Sequence, residues 1–230
     1  METKESRAVL PFEAVLVIIV TFFLSIFLGA IILLTLGIEA TLVLGELIIL
    51  IVPLSYLLYK HVKIRDFVRV NPKPKFILIG IVFGVLLLPM NSIIATALTA
   101  ILGNSNAVEE ANTLYTNLSA TTTGLIAVAT SMTLAGICEE FAFRGFLQNS
   151  IFRNLQKNPK SSKYAFAVAV LVAAATFGIF HFDPQLVYIL ATFLAGLVLG
   201  YIYHRWGYTT SATAHATMNL IVLALLLLGY

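Results

Sequence analysis

Long apolar stretches, separated by short polar segments, run through the whole chain. Runs of about 18 or more apolar residues recur, and about 20 such residues in a helix cross the ~30 Å hydrocarbon core of a bilayer. The pattern predicts an all-α, polytopic transmembrane helix bundle of about seven to eight spans. The seven spans that can be drawn are Val15–Leu36, Thr41–Tyr59, Phe76–Leu102, a fourth through Cys138, Tyr164–Phe180, Leu186–Tyr203 and Ser211–Leu228.

Composition agrees with this pattern and excludes a soluble protein. The chain is 60% hydrophobic and 11% charged, whereas soluble domains are about 25% charged. No polar stretch is long enough to fold as a separate domain. The net charge of +3 does not indicate a nucleic-acid partner, because the basic residues lie in short loops between spans. A single cysteine, Cys138, excludes an internal disulfide and any multi-cysteine metal site.

The positively charged loop residues all lie on one side of the predicted spans. They are Lys4 and Arg7 before the first span, Lys60, Lys63, Arg65, Arg69, Lys73 and Lys75 after the second, Arg153, Lys157, Lys160 and Lys163 after the fourth, and Arg205 after the sixth. The opposite loops, 37–40, 103–123 and 181–185, contain no Lys or Arg. By the positive-inside rule the N-terminus is cytoplasmic. We therefore expect an integral protein of the plasma membrane whose first span is retained as a helix.

Three groups of polar residues interrupt the apolar spans. A charged residue inside a span costs about 2.5–3.5 kcal/mol on insertion scales, so such residues usually face a partner or a cavity. Helical spacing places Glu140 and Arg144 on one face, while Glu139 points about 100° away from Glu140. The other two groups, Phe177 to His181 and His215 to Asn219, each place their end residues on one face. The sequence thus predicts an intramembrane polar chamber. The three groups can lie at compatible depths in the bilayer only if the fourth helix continues to about residue 152.

The side chains in these groups suit the hydrolysis of an amide bond. A glutamate can act as general base toward a water molecule that an imidazole helps to hold. A second imidazole and an amide N–H can stabilise the oxyanion that forms on the attacked carbonyl. No cofactor is required by this chemistry.

Three motifs carry a family resemblance: Glu-Glu-x-x-x-Arg at 139–144, Phe-x-x-x-His at 177–181 and His-x-x-x-Asn at 215–219. Together they resemble the CAAX prenyl protease and bacteriocin-processing family of intramembrane glutamate endopeptidases. The resemblance implies a catalytic core over 124–230, preceded by N-terminal transmembrane helices over 1–123, in one integrated membrane domain. It also implies that the site holds no metal. The implied substrate is a membrane-anchored peptide or protein, either prenylated and of CAAX type or bacteriocin-like. The residue roles that it implies place Glu139 as base, His181 as its water-holding partner, His215 and Asn219 as oxyanion donors, and Glu140 and Arg144 as supports.

Other interpretations of the same residues remain open. One glutamate with two histidines could form a zinc peptidase site, although the helical His-Glu-x-x-His pattern is missing. Buried carboxylates could serve a transporter or channel, and the fold could also belong to a catalytically idle scaffold or immunity protein. Glu46 and Asn91 could line the chamber or make structural hydrogen bonds, and Gly196 with Gly200 indicates helix packing.

Topology can be tested with reporter fusions. A reporter fused after Tyr59 or Lys160 should be cytoplasmic, and one fused near Asn106 should be external, because Lys and Arg are confined to one side. Reporter activity on the reversed sides would contradict this orientation.

Overall fold

A computed structural model describes residues 9–229, so Lys4 and Arg7 lie outside the described residues. This part of the chain is helical and contains no strand. The elements are α1 (Pro11–Leu36), α2 (Ile38–Tyr59), α3 (Ile64–Val68), α4 (Pro74–Leu102), α5 (Asn106–Ser119), α6 (Thr122–Glu139), a π-helical segment (Glu140–Gln148), α7 (Asn149–Gln156), a short 3₁₀ turn (Ser162–Tyr164), α8 (Ala165–Phe180), α9 (Val187–Trp206) and α10 (Tyr208–Leu227).

The predicted helical bundle is confirmed, with seven helices long and apolar enough to cross a membrane. The fourth of them is a continuous 35-residue rod, Thr122–Gln156, made of α6, the π-helical segment and α7. The expected continuation past Arg144 to about residue 152 is therefore correct. Two pairs of spans are joined by a single glycine, Gly37 with φ +87° and Gly207 with φ +89°, a left-handed conformation that glycine adopts without steric cost.

Two connections predicted as loops contain helices. The basic loop between α2 and α4 includes α3, and the segment between α4 and α6 includes α5. The Ser105 hydroxyl caps α5 by accepting a hydrogen bond from Val108 N at 3.2 Å, as N-cap serines do. None of the residues of α5 is buried. Its polar composition explains why the apolar pattern of the spans did not reveal it.

The basic loop folds back onto the end of the fourth-span rod. The Arg153 guanidinium donates to Asp66 O at 2.8 Å, and the Asn149 amide donates to Phe67 O. The Tyr203 hydroxyl donates to Val68 O at 3.2 Å, and Val68 is fully buried. The backbone carbonyls of α3 are thus bound by side chains from both the rod and α9. This end of the bundle, which carries residues 60–75, residues 153–163 and Arg205, is called the basic end below.

Glycine allows the helices around the polar residues to pack with their backbones close together. A Cβ atom at Gly136 would lie 2.5 Å from Ala216 N, so α6 and α10 touch through their backbones. A Cβ atom at Gly80 would lie 2.6 Å from Thr213 Cβ, and one at Gly84 would lie 2.6 Å from Ala214 O. Small residues serve membrane helices in this way, since close packing replaces the hydrophobic effect that lipid cannot supply.

The contact at Gly136 can be tested by adding one methyl group. Gly136→Ala should push α6 from α10 and destabilise the protein by about 1–3 kcal/mol, as overpacking does. The control is Gly45→Ala in α2, because a Cβ atom there meets nothing within 4 Å, and alanine favours the helix. Thermal unfolding of the purified protein measures both changes. Equal melting temperatures for the two variants would contradict the close contact.

Candidate active site inside the bundle

The candidate site begins where the rod changes its helical geometry. Glu139 is the last residue of α6, and Glu140–Gln148 form a π-helical segment whose nine residues are all buried. π-Helical turns are rare and are frequently found at functional sites. Glu139 therefore lies on the last α-helical turn of α6, and Glu140 lies on the first π-helical turn.

Glu140 and Arg144 form the ion pair that their spacing predicts. Arg144 Nη1 lies 2.8 Å from Glu140 Oε1, and both side chains have no solvent exposure. The guanidinium and the carboxylate are at ion-pair distance but are not aligned for a good hydrogen bond. The attraction between them is therefore mainly Coulombic. The Arg144 guanidinium also lies over the ring of Phe177, 4.2 Å from its centroid. A cation–π contact of this kind helps to offset the lost hydration of the charge.

Two glycines of α9 receive side chains from the rod. Arg144 Nη2 approaches Gly196 O at 3.4 Å, and Gln148 Nε2 donates to Gly200 O at 3.0 Å. A Cβ atom at Gly200 would lie 2.8 Å from Gln148 Oε1, so a larger residue would displace this amide. The Gly196–Gly200 pair does pack helices, as the sequence indicated. It also leaves two backbone carbonyls accessible to the buried polar side chains.

His215 of α10 lies between the two glutamates. Its Nδ1 is 3.2 Å from Glu140 Oε1, and its Nε2 is 3.8 Å from Glu139 Oε2. The Glu140 carboxylate is paired with the Arg144 guanidinium, and a carboxylate in an ion pair can only accept a hydrogen bond. The proton of this hydrogen bond therefore belongs to Nδ1 of His215. Nε2, which faces Glu139, carries a hydrogen only when the ring is an imidazolium.

His181 directly follows the last residue of α8 and turns back toward the bundle. Its Nδ1 donates to Phe177 O at 2.9 Å, because a carbonyl oxygen can only accept. In the neutral ring this leaves a lone pair on Nε2. The imidazole packs against Phe177 and Tyr188, with ring centroids 4.6 Å and 5.1 Å away. The ring is thus held by its neighbours and is only partly exposed.

The chain just after His181 makes a capped turn into α9. The buried carboxylate of Asp183 accepts from Gln185 N at 3.0 Å and from Tyr188 N at 2.8 Å. Leu186 adopts a left-handed conformation with φ +65°. This turn places Tyr188 beside His181.

The structure brings four of the six predicted site residues into one connected cluster: Glu139, Glu140, Arg144 and His215. His181 joins it through Phe177, whose ring lies 5.9 Å from that of His215. Asn219 is one turn beyond His215 on α10, and its Nδ2 donates to Met132 O at 3.2 Å. This bond uses one of the two amide hydrogens. The sharing of one water molecule by Glu139 and His181 stays a prediction.

The comparison with protein families bears on this region of the chain. Residues 121–221 match the model for type II CAAX prenyl endopeptidases, Rce1-like. The resemblance stated from the three motifs is thereby confirmed over this segment. No curated protein and no solved structure matches the chain.

The Rce1-like segment is slightly less than half of the chain but holds all six predicted site residues. It spans the rod, α8, α9 and the first two-thirds of α10. The matched model describes type II CAAX prenyl endopeptidases, and the seven apolar helices indicate an integral membrane protein. The N-terminal helices lie outside the Rce1-like segment and yet contribute to its surroundings.

Glu46 of α2 is the main residue near the site that the motifs did not assign. It belongs to a helix that packs against α6, whose last residue is Glu139. The Oε2 atom of Glu46 is buried without a hydrogen-bond partner in the described part of the chain. The signal for it was a lone acidic residue inside an apolar span, which could not show which helix it faces. Gln148 was also missed, although it continues the face of Glu140 and Arg144 at the same four-residue spacing.

The buried ion pair can be tested by a double-mutant cycle. Arg144→Met should destabilise the protein by roughly 3–5 kcal/mol, because Glu140 then stays buried without its partner. Glu140→Gln in the same chain should recover part of this loss. The exposed Lys157→Met is the control, with an expected change within about 0.5 kcal/mol. Unfolding midpoints are measured for Arg144→Met, Glu140→Gln, the double variant and the control. Simple additivity of the two site changes would contradict the pairing.

Proposed function

We propose that the chain is a metal-independent, glutamate-type intramembrane endopeptidase. Its substrate would be a membrane-associated peptide or protein, either prenylated and of CAAX type or bacteriocin-like. The observation that carries the proposal is His215 placed between Glu139 and the Glu140–Arg144 pair inside the Rce1-like segment. The 124–230 region would supply the reacting groups, and helices before it would complete the walls.

Glu139 would act as the general base in this proposal. Glu140 is occupied by Arg144 and His215, whereas Glu139 forms no ion pair with an arginine of residues 9–229 and is slightly exposed, at 9%. The lone pair on Nε2 of His181 could accept one hydrogen of a water molecule while Glu139 removes the other. The oxygen of that water would attack the carbonyl carbon of the substrate. The proton held by Glu139 would then pass to the leaving amine.

His215 and Asn219 would stabilise the oxyanion formed by this attack. Because Nδ1 of His215 donates to Glu140, the ring must be an imidazolium to offer a second N–H at Nε2. The carboxylates of Glu139 and Glu140 on either side of the ring would compensate the charge of that imidazolium. The second amide hydrogen of Asn219 would be the other donor.

A zinc-dependent peptidase remains the alternative hydrolase. Within residues 9–229, no three His, Cys, Asp or Glu side chains are arranged to hold one metal ion. This arrangement favours the glutamate mechanism.

The proposed chemistry predicts the behaviour of four variants. Glu139→Gln should keep the fold and abolish turnover, because an amide has the same shape and cannot take the proton. His181→Ala should also lose turnover. His215→Ala and Asn219→Ala should each lower turnover by about 10²–10³-fold with substrate binding largely kept, as for other oxyanion donors. Cleavage of a peptide library by the purified protein, followed by mass spectrometry, measures these effects.

Two controls separate the glutamate mechanism from its alternatives. Thr35→Ala, at an exposed position of α1 outside the Rce1-like segment, should leave turnover close to that of the unchanged chain. A strong chelator should also leave turnover unchanged, whereas its loss, with recovery on adding zinc, would favour the zinc peptidase. Turnover by folded Glu139→Gln at the rate of the unchanged chain would refute the proposed base.

A further inference from the structure

A basic cavity lies at the basic end of the bundle, away from the candidate active site. Its volume is about 400 Å³. The loop between α2 and α4 forms one wall, and the turn between α9 and α10 forms the other. The lining residues are Arg65, Asp66, Arg69, Val70, Asn71, Lys73, Trp206 and Gly207.

The charges around this cavity favour an anion. Three of its lining side chains are basic, Arg65, Arg69 and Lys73, and one, Asp66, is acidic. Arg65 and Lys73 are exposed, so their charged groups can move toward a ligand. Arginine is the residue best suited to phosphate, because its planar guanidinium presents paired N–H donors.

Arg69 is held in place by the surrounding structure. Its Nη1 donates to His204 O at 2.9 Å, and its guanidinium lies 5.7 Å from the centroid of the Tyr203 ring. Its own carbonyl accepts from Tyr208 N at 3.3 Å. A Cβ atom at Gly207 would lie 2.7 Å from this carbonyl. The cavity is therefore built on a fixed turn and is more than a group of mobile surface charges.

The cavity also adjoins surface that would contact lipid. Its two walls end at Pro74 and Trp206, where the membrane-spanning helices α4 and α9 begin and end. The Trp206 ring packs on Phe83 of α4, with centroids 4.9 Å apart, and tryptophan is enriched at the membrane–water interface. Large apolar side chains such as Leu78 are exposed on the first turns of α4. A molecule with an anionic head and apolar tails fits both surfaces.

We propose that this cavity binds the phosphate headgroup of an anionic phospholipid, with the acyl chains lying along α4. Basic pockets between transmembrane helices bind such headgroups on the cytoplasmic side. The proposed orientation of the chain places the cavity in that leaflet. The site is independent of the peptidase chemistry, because none of its residues belongs to the Glu139 cluster.

Trp206 makes the test specific, because it is the only tryptophan of the chain and lines the cavity. The full chain is reconstituted in phosphatidylcholine vesicles that contain a minor fraction of brominated phosphatidylglycerol. Bromine quenches the fluorescence of a nearby tryptophan, so quenching reports lipid beside Trp206. We expect more quenching than with the same fraction of brominated phosphatidylcholine. This excess would show preference for the anionic headgroup.

Two matched pairs of substitutions distinguish a site from general surface charge. Arg65→Gln with Lys73→Gln removes two lining charges and should weaken the preference about 25-fold, since each basic residue contributes about fivefold. Lys75→Gln with Lys157→Gln also removes two charges from the basic end, but neither residue lines the cavity. The control pair should keep most of the preference. Equal losses for the two pairs would overturn the proposal.

Inorganic phosphate separates the lipid from a free anion. Replacing chloride by phosphate at constant ionic strength should leave the quenching by brominated phosphatidylglycerol unchanged. If phosphate removes the preference, the cavity takes the free anion and the assignment to a lipid is wrong. Equal quenching by the two brominated lipids in the unchanged chain would also refute it.

Discussion

Placing charge inside a membrane protein is the constraint on which the rest of this structure depends. An uncompensated charge is far too costly in a low-dielectric interior, so each charged group must bring its own partner. Arg144 pairs with Glu140 of the same helix, and His215 approaches both glutamates from another helix. The close helix contacts at Gly136, Gly196 and Gly200 follow from this need. Larger residues there would hold the partners apart.

The large-scale fold could be predicted because it depends on averages along the chain. Apolar runs of the required length define the seven spans, and the depths of Glu139 and His215 required the rod to continue past Arg144. The short helices α3 and α5 could not be found in this way, because neither has an apolar stretch long enough to stand out. The π-helical segment was also hidden, since four-residue spacing is read in the same way from α- and π-helical turns.

The candidate site was predictable as a set of residues and less so as a set of contacts. Motif spacing placed Glu140 with Arg144, and the structure has that pair. Spacing within one helix could not show that His215 contacts both glutamates, or that Asn219 donates to the backbone of α6. Glu46 was harder still, because it lies about 90 residues before the motifs and approaches them only when α2 packs beside α6.

The 35-residue rod has a consequence for how the protein fits its bilayer. At about 1.5 Å per residue it is about 50 Å long, well beyond a ~30 Å hydrocarbon core. A continuous helix has a nearly fixed rise per residue, so the excess length must be taken up by tilt or by projection from the bilayer. Membrane thickness then sets the depth of Glu139 below the headgroups. Lipids of different acyl-chain length would therefore shift the depth of the chamber in the bilayer. A peptide bond of a membrane-anchored substrate stays at a fixed depth, so the distance between the two would change.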